Sequence, residues 1–209
     1  MENWPNIHTK INFVIMGLLT ILFFVPAFAD EEEVIESVTI IGSAEDQRKL
    51  AGSGQIISND DLLKAMDTDI QKILTAVPGV YMRTEEGYGL RPNISIRGTA
   101  IERSAKVAVM EDGVLVAPSP YTSSSAYYFP TTGRIHSVEV LKGPAAVSQG
   151  PQTIGGAINL ISTPIPSTNS GKFVQELGEN GMMRTHAYFG GTSGNFGALV
   201  EVHEHESDG

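Results

Sequence analysis

No cysteine occurs in the 209 residues, so a disulfide framework and thiol chemistry are excluded. Basic residues are scarce: 14 Lys and Arg stand against 24 Asp and Glu, a formal net charge of −10. That balance argues against binding nucleic acid, which calls for a basic face. The motifs of covalent catalysis are missing as well. There is no G-x-S-x-G, no H-E-x-x-H and no phosphate loop. Gly52-Ser53-Gly54 is not followed by Lys-Ser/Thr and reads as a flexible joint. Accordingly no catalytic residue, cofactor or metal is assigned, and an enzyme is not expected. Long helical patterns are few, while 22 glycines and 11 prolines favour sheets and turns.

A long apolar run is also lacking. The longest, over residues 11–25, falls short of the roughly 20 residues that a spanning helix needs. It ends at Pro26 and is followed by Ala27-Phe28-Ala29, an A-x-A cleavage site before Asp30. Residues 1–29 therefore read as a secretory signal peptide, although the n-region carries only Lys10 and the amino terminus against Glu2. An uncleaved anchor is the alternative. The mature chain is expected to start near Asp30 and to leave the cytoplasm.

The stretch that is most informative spans residues 138–162, VEVLKGPAAVSQGPQTIGGAINLIS. It predicts a strand over 138–141, with Val138 and Val140 on one side and Glu139 and Leu141 on the other. Gly-Pro turns follow at Gly143-Pro144 and Gly150-Pro151, then a Gly155-Gly156 pair and a second strand over 157–161. Such closely spaced turns describe a compact sheet, and no cofactor loop is needed to explain the glycines.

Other segments are placed by local signals. Residues 30–36 are an acidic, solvated lead-in. Residues 36–41 (ESVTII) are β-prone and could form an edge strand of the domain next to them. Ser58, with Asp61 three residues on, is an N-cap before Leu62, Leu63 and Met66. Thr68 or Asp69 starts a second helix with Ile70, Ile73, Leu74 and Val77 on one face, ended by Pro78-Gly79. Strands are predicted over 80–83 and 94–98. Asp112-Gly113 between apolar runs at 107–110 and 114–116 predicts a hairpin. Residues 117–132, rich in Pro, Ser and Tyr, form a loop too long for mere connection. After Pro166 three segments, 172–177, 183–190 and 196–204, alternate apolar and polar residues, with Phe173, Leu177, Ala187, Phe189, Phe196, Ala198, Val200 and Val202 on the apolar side. That dyad period is the signature of outer-membrane barrel strands.

Two groups of side chains invite a functional assignment. His203 and His205 share a strand face with Glu201, but polar positions near a barrel turn explain them without a metal. Arg83, Arg91, Arg97, Arg103 and Lys106 crowd into residues 83–106, opposed only by Glu85, Glu86 and Glu102. The cluster suggests an anion or an acidic partner; surface solubility or internal salt bridges would account for it equally.

Several phrases carry a resemblance. V-E-V-L-K-G-P leading into G-G-A-I-N-L-I, the V-P-G-V at Val77–Val80, the I-R-G at residues 96–98 and the Asp-Gly hairpin together resemble the plug domain of TonB-dependent outer-membrane receptors. The phrases GLRPNISIRGT, MEDGVLVAPSPY and YYFPTTGRI resemble the ferric dicitrate-type subgroup. The resemblance implies an α+β plug, a small mixed sheet with short helices, followed by the first antiparallel strands of a transmembrane β-barrel of about 22 strands. It divides the chain into a signal peptide (1–29), a flexible segment with the TonB box (30–45), a plug (46–166) and opening barrel strands (167–209). A chain of this length does not close such a barrel, so it is expected to be the N-terminal portion of a receptor.

The same resemblance implies roles for residues. Glu36, Ser37, Val38, Thr39 and Ile40 resemble the TonB box, which adds a strand to its partner's sheet edge. About six residues separate it from the cleavage site, which leaves no room for the signalling domain of some ferric citrate receptors. Arg97 and Lys142 match plug cations that face barrel glutamates and lock the plug. Arg91 and Arg103, with the hydroxyls of Tyr121, Thr122 and Ser123, become plug-side contacts for a polyanionic ferric chelate. Tyr127 and Tyr128 would serve equally as packing against the barrel wall. The implied function is uptake of a ferric chelate, ferric citrate or a carboxylate siderophore, across the outer membrane and driven by TonB. The alternatives are a soluble periplasmic plug-like binding module and a truncated, non-functional receptor.

Overall fold

The computed structural model describes residues 39–41, 44–65, 69–83, 85, 91–116 and 129–208. The predicted signal peptide, the acidic lead-in, Glu36, Ser37 and Val38 lie outside the described residues. So do Met66, Thr68 and the loop over 117–128, with Tyr121, Thr122, Ser123, Tyr127 and Tyr128.

In chain order the elements are α1 (Ala44–Gln47), β1 (Ser53–Ile57), α2 (Asn59–Ala65), α3 (Ile70–Thr75), β2 (Val80–Arg83) and β3 (Asn93–Ile96). They continue with β4 (Val107–Glu111), β5 (Val114–Leu115), β6 (Ile135–Lys142) and β7 (Gly156–Ser162), and close with β8 (Ser170–Leu177), β9 (Met183–Ser193) and β10 (Phe196–Glu206). Short 3-10 turns lie at Glu102–Ser104, Thr132–Arg134 and Pro144–Gln149.

Residues 138–142 of β6 and 156–161 of β7 are all buried, which puts these strands at the centre of a sheet covered on both sides. The sheet order is β1-β6-β7-β4-β5. Every neighbouring pair is antiparallel except β4 and β7. Val138 pairs with Leu160, Glu139 with Asn159 and Val140 with Ile158. One face carries Val107, Val109, Val138, Val140, Ile158 and Leu160, and packs against Ile70, Ile73 and Leu74 of α3 and against Val80, Ile94 and Ile96 of the β2–β3 pair. The opposite face carries Ala108, Met110, Leu141 and Ala157, and is covered by Ile41 and Ala146.

The turns follow the local chemistry. Ser58 and Asp61 form a reciprocal cap on α2. The Asp61 carboxylate accepts from the Ser58 hydroxyl (2.7 Å) and N–H (3.1 Å), and the Ser58 hydroxyl accepts from the Asp61 N–H (3.3 Å). Those bonds to Ser58 hold the Asp61 carboxyl below its ordinary range, the hydroxyl bond contributing most. Asp69 caps α3 by accepting from the Gln71 N–H at 2.8 Å. Asp112 and Gly113 both take positive φ (47° and 75°), the geometry of the predicted hairpin turn.

Gly52-Ser53-Gly54 is not a joint. Ser53 and Gly54 lie in β1, opposite Lys142 and Leu141 of β6. A Cβ on Gly52, at φ 139°, would stand 2.5 Å from the Lys142 carbonyl oxygen, so glycine serves close approach there rather than flexibility. The strand predicted over 94–98 stops at Ile96, since Arg97 (φ 53°) and Gly98 (φ 79°) turn out of it. Helix α1 and strand β1 have no counterpart among the elements expected from sequence.

β8, β9 and β10 form a three-stranded antiparallel sheet. They run further than the alternation alone suggests, to Ser193 and Glu206. Pairing puts Phe173, Ala187 and Val202 side by side on one face, and Val174, His186 and His203 on the other. Phe173, Leu177, Phe189, Phe196, Val200 and Val202 are all exposed.

Candidate functional site

Three signature phrases, distant in sequence, meet at one end of the plug. The Pro78 carbonyl accepts from Lys142 Nζ at 3.0 Å, and the next carbonyl, that of Gly79, accepts from the Arg97 N–H at 2.8 Å. Arg97 Nη2 donates to Ser53 Oγ at 3.1 Å. Its other terminal nitrogen lies so near Gly143 that a Cβ there would be only 3.1 Å away. Arg97 and Lys142 are thus brought together. Among the described residues no carboxylate lies within ion-pair distance of either. Lys142 is buried, and its pKa is pushed below the ordinary lysine value first by burial and then by the neighbouring Arg97 charge. A cation held in this way is stabilised by an approaching carboxylate.

Arg91 and Arg103 sit at the opposite end of β3. A four-residue strand separates the two groups by roughly 13 Å. Asn93 joins this second group: its side-chain oxygen accepts from the Arg103 N–H at 2.7 Å, and its amide donates to the Arg83 carbonyl at 3.4 Å. Arg91 and Arg103 are exposed. Arg83 lies within 3.7 Å of Glu85 and 3.6 Å of Glu102, so two of the three opposing acids are engaged by one arginine. Lys106 is exposed as well. Tyr121, Thr122 and Ser123, predicted to complete this site, lie outside the described residues.

Of the residues expected from resemblance to form the TonB box, only Thr39 and Ile40 are described. Thr39 is exposed and Ile40 half-buried, and among the described residues 39–41 none is in a strand. Both Ile40 and Ile41 are tied to Glu139, a residue that sequence reasoning leaves without a role. Its carboxylate accepts from the Ile40 N–H at 2.7 Å, the Ile41 N–H at 3.1 Å and Asn159 Nδ2 at 3.1 Å. The signal is there: Glu139 and Asn159 are polar residues flanked on both sides by apolar ones, Val138 and Val140, and Ile158 and Leu160.

The barrel-type strands meet the plug through their polar face. Thr163, just after β7, donates to Glu201 Oε1 at 2.6 Å, and His186 Nε2 lies 2.7 Å from the same oxygen. Thr192 donates to the Pro166 carbonyl at 2.9 Å. The His203 ring lies directly against Gly133, where a side chain would have no space. Arg184 pairs with Glu176 across the strands. Glu201 therefore serves the seam between plug and strands; among the described residues no group of three or more His, Cys, Asp or Glu could hold a metal ion.

The family model described as TonB-dependent Receptor Plug Domain matches residues 46–157, just over half of the chain. The vitamin B12 transporter BtuB of Photobacterium profundum is 26% identical over 170 residues, 74% of this chain and 27% of that protein. The chain thus spans about a quarter of the length of that curated relative. The crystal structure of the unliganded ferric citrate transporter FecA is similar in fold, with TM-score 0.66 and 24% identity, over 82% of this chain and 28% of that one. The siderophore receptor PiuA of Acinetobacter baumannii gives TM-score 0.61 and 24% identity, over 82% and 24% respectively. These proteins are named as transporters and receptors, not enzymes.

Proposed function

The chain belongs to the TonB-dependent receptor plug domain family, and from that premise we propose that it forms the gate and the first strands of an outer-membrane transporter for a ferric chelate. The plug occludes a barrel begun by β8–β10, the box at Glu36–Ile40 recruits TonB from the periplasmic side, and energy from the inner membrane displaces the plug. The observation that carries this is the division of faces in β8–β10. A polar face meets the plug through Glu201, His186 and Thr163, while the opposite face leaves six large apolar side chains exposed. An apolar outer band opposite a polar interior suits lipid on one side and a plugged lumen on the other. A soluble binding module has no need of such a band.

Arg97 and Lys142 act as the lock, awaiting carboxylates from later barrel strands. Arg91 and Arg103, with Tyr121, Thr122 and Ser123, meet the ligand. An anionic chelate, ferric citrate or a carboxylate siderophore, fits two exposed guanidinium groups. The likeness to a ferric citrate transporter supports the same class.

Thr39→Pro tests the reading. Proline removes a donor from the strand that the box adds to TonB. Binding of radiolabelled ferric citrate to outer membranes is expected to persist and uptake to fall to background. Normal uptake in the variant overturns the TonB-box assignment.

A further inference from the structure

The turn over residues 102–104 is one the backbone does not adopt freely. Arg103 (φ 50°) and Ser104 (φ 55°) are consecutive and both left-handed, a conformation that glycine takes readily and that a Cβ opposes. Such a turn persists only where its surroundings hold it. Here two side chains do so, in opposite directions. The Asn93 side-chain oxygen accepts from the Arg103 N–H at 2.7 Å. The Ser104 hydroxyl donates to the Pro92 carbonyl and accepts from the Ile94 N–H, both at 3.0 Å. Asn93 is 1% exposed and Ser104 is fully buried, so both fastenings lie inside the protein, where an unmade bond is costly. Residues 92–94 and 103–104 are thereby stapled together.

The fold uses only the backbone of Arg103. Its guanidinium is exposed and makes no hydrogen bond or ion pair among the described residues. The adjacent Glu102 carboxylate lies 3.6 Å from Arg83 Nη1 instead. The turn is fastened twice, yet the side chain it presents is used by nothing else in the described fold. Arg91 leaves the same staple from its other side, directly before Pro92, whose ring fixes the backbone there.

We propose that Asn93 and Ser104 are positioning residues, which hold the Arg103 guanidinium at a fixed spacing from Arg91 so that the pair meets a polycarboxylate chelate already ordered. The proposal rests on the reading of Arg91 and Arg103 as ligand contacts. A backbone fixed beforehand spares that part of the ordering entropy on binding. Loss of the staple leaves the charge in place and lowers the fraction of receptor competent to bind.

The test is a double-mutant cycle on Asn93→Ala and Arg103→Ala, read as the affinity of radiolabelled ferric citrate for outer membranes that carry the protein. Arg103→Ala is expected to weaken binding about tenfold, as for the loss of one hydrogen bond to a charged group. Asn93→Ala should weaken it about fivefold through the smaller competent fraction. With Arg103 already replaced, Asn93→Ala should weaken it no further, because its effect passes through that side chain. Equal effects in both backgrounds, or an Asn93→Ala variant that binds like the wild type, overturn the positioning role. Where Asn93→Ala does not reach the membrane, Ser104→Gly takes its place in the cycle. Glycine accepts the left-handed turn without strain while the hydroxyl is lost, and the same outcomes decide. Wild-type membranes that retain no ferric citrate, or an Arg103→Ala variant that binds like the wild type, overturn the ligand reading itself, and the proposal with it.

Discussion

β7 and β10 are both long strands near the C-terminal end of the chain, yet they divide their side chains in opposite ways. β7 buries six of its seven residues, whereas β10 alternates and has none in the buried class. The first is covered on two faces by protein. The second meets protein on one face, and on its other face Phe196, Val200 and Val202 are exposed. Burial on both faces makes a strand intolerant of every change in volume, while one-sided contact makes tolerance depend on parity. The plug sheet is therefore specified residue by residue, and the barrel strands by a pattern.

Gly156→Val should break the comparison at its strict end. At φ 154° a Cβ there stands 2.3 Å from the Leu141 carbonyl oxygen, on the neighbouring central strand. The cost, at least about 3 kcal/mol, combines backbone strain with overpacking. Loss of protease resistance across residues 46–166 is the expected result, and a wild-type digestion pattern would refute the account of this contact. Val200→Arg sharpens the other end. Val200 is 71% exposed, so detergent-solubilised protein should lose little stability. In a bilayer the same change should cost about 2 kcal/mol or more. Equal stability in detergent and in vesicles would remove lipid as the partner of that face.

The smallest effect concerns the cap of α2. The folded pKa of Asp61 lies below the ordinary carboxylate value, so its contribution is fully present above that value and is lost as pH falls through the lower, folded one. Ser58→Ala removes the leading cause of the shift. Melting temperatures should then depend less on pH in the acid range. An unaltered acid limb would show that the cap is not coupled to global stability.

What the sequence discloses depends on how local the cause is. Caps at Ser58 and Asp69, the Asp112-Gly113 turn and the alternation of β8–β10 are written within a few adjacent residues, and each is legible. β1 is not, because Ser53-Gly54-Gln55 has weak strand preference and is held by pairing with β6, far later in the chain. Arg97 and Lys142 are paired only by resemblance; the Pro78-Gly79 carbonyls that bring them together are a tertiary fact. Glu139 is visible as an acid on the Leu141 side of its strand, but its partners at Ile40 and Ile41 cannot be read locally.

The order of strands β1-β6-β7-β4-β5 also ranks the pairings by the length of chain each has to close. β6 and β7 are separated by one short connection, so closing them costs little chain entropy. β1 pairs with β6 across a much longer loop, which costs more chain entropy to close. β1, the strand with the longest loop to close, sits at an edge. A force applied at the N-terminal side would meet β1, held by a single neighbour, before it met the β6–β7 pair at the centre.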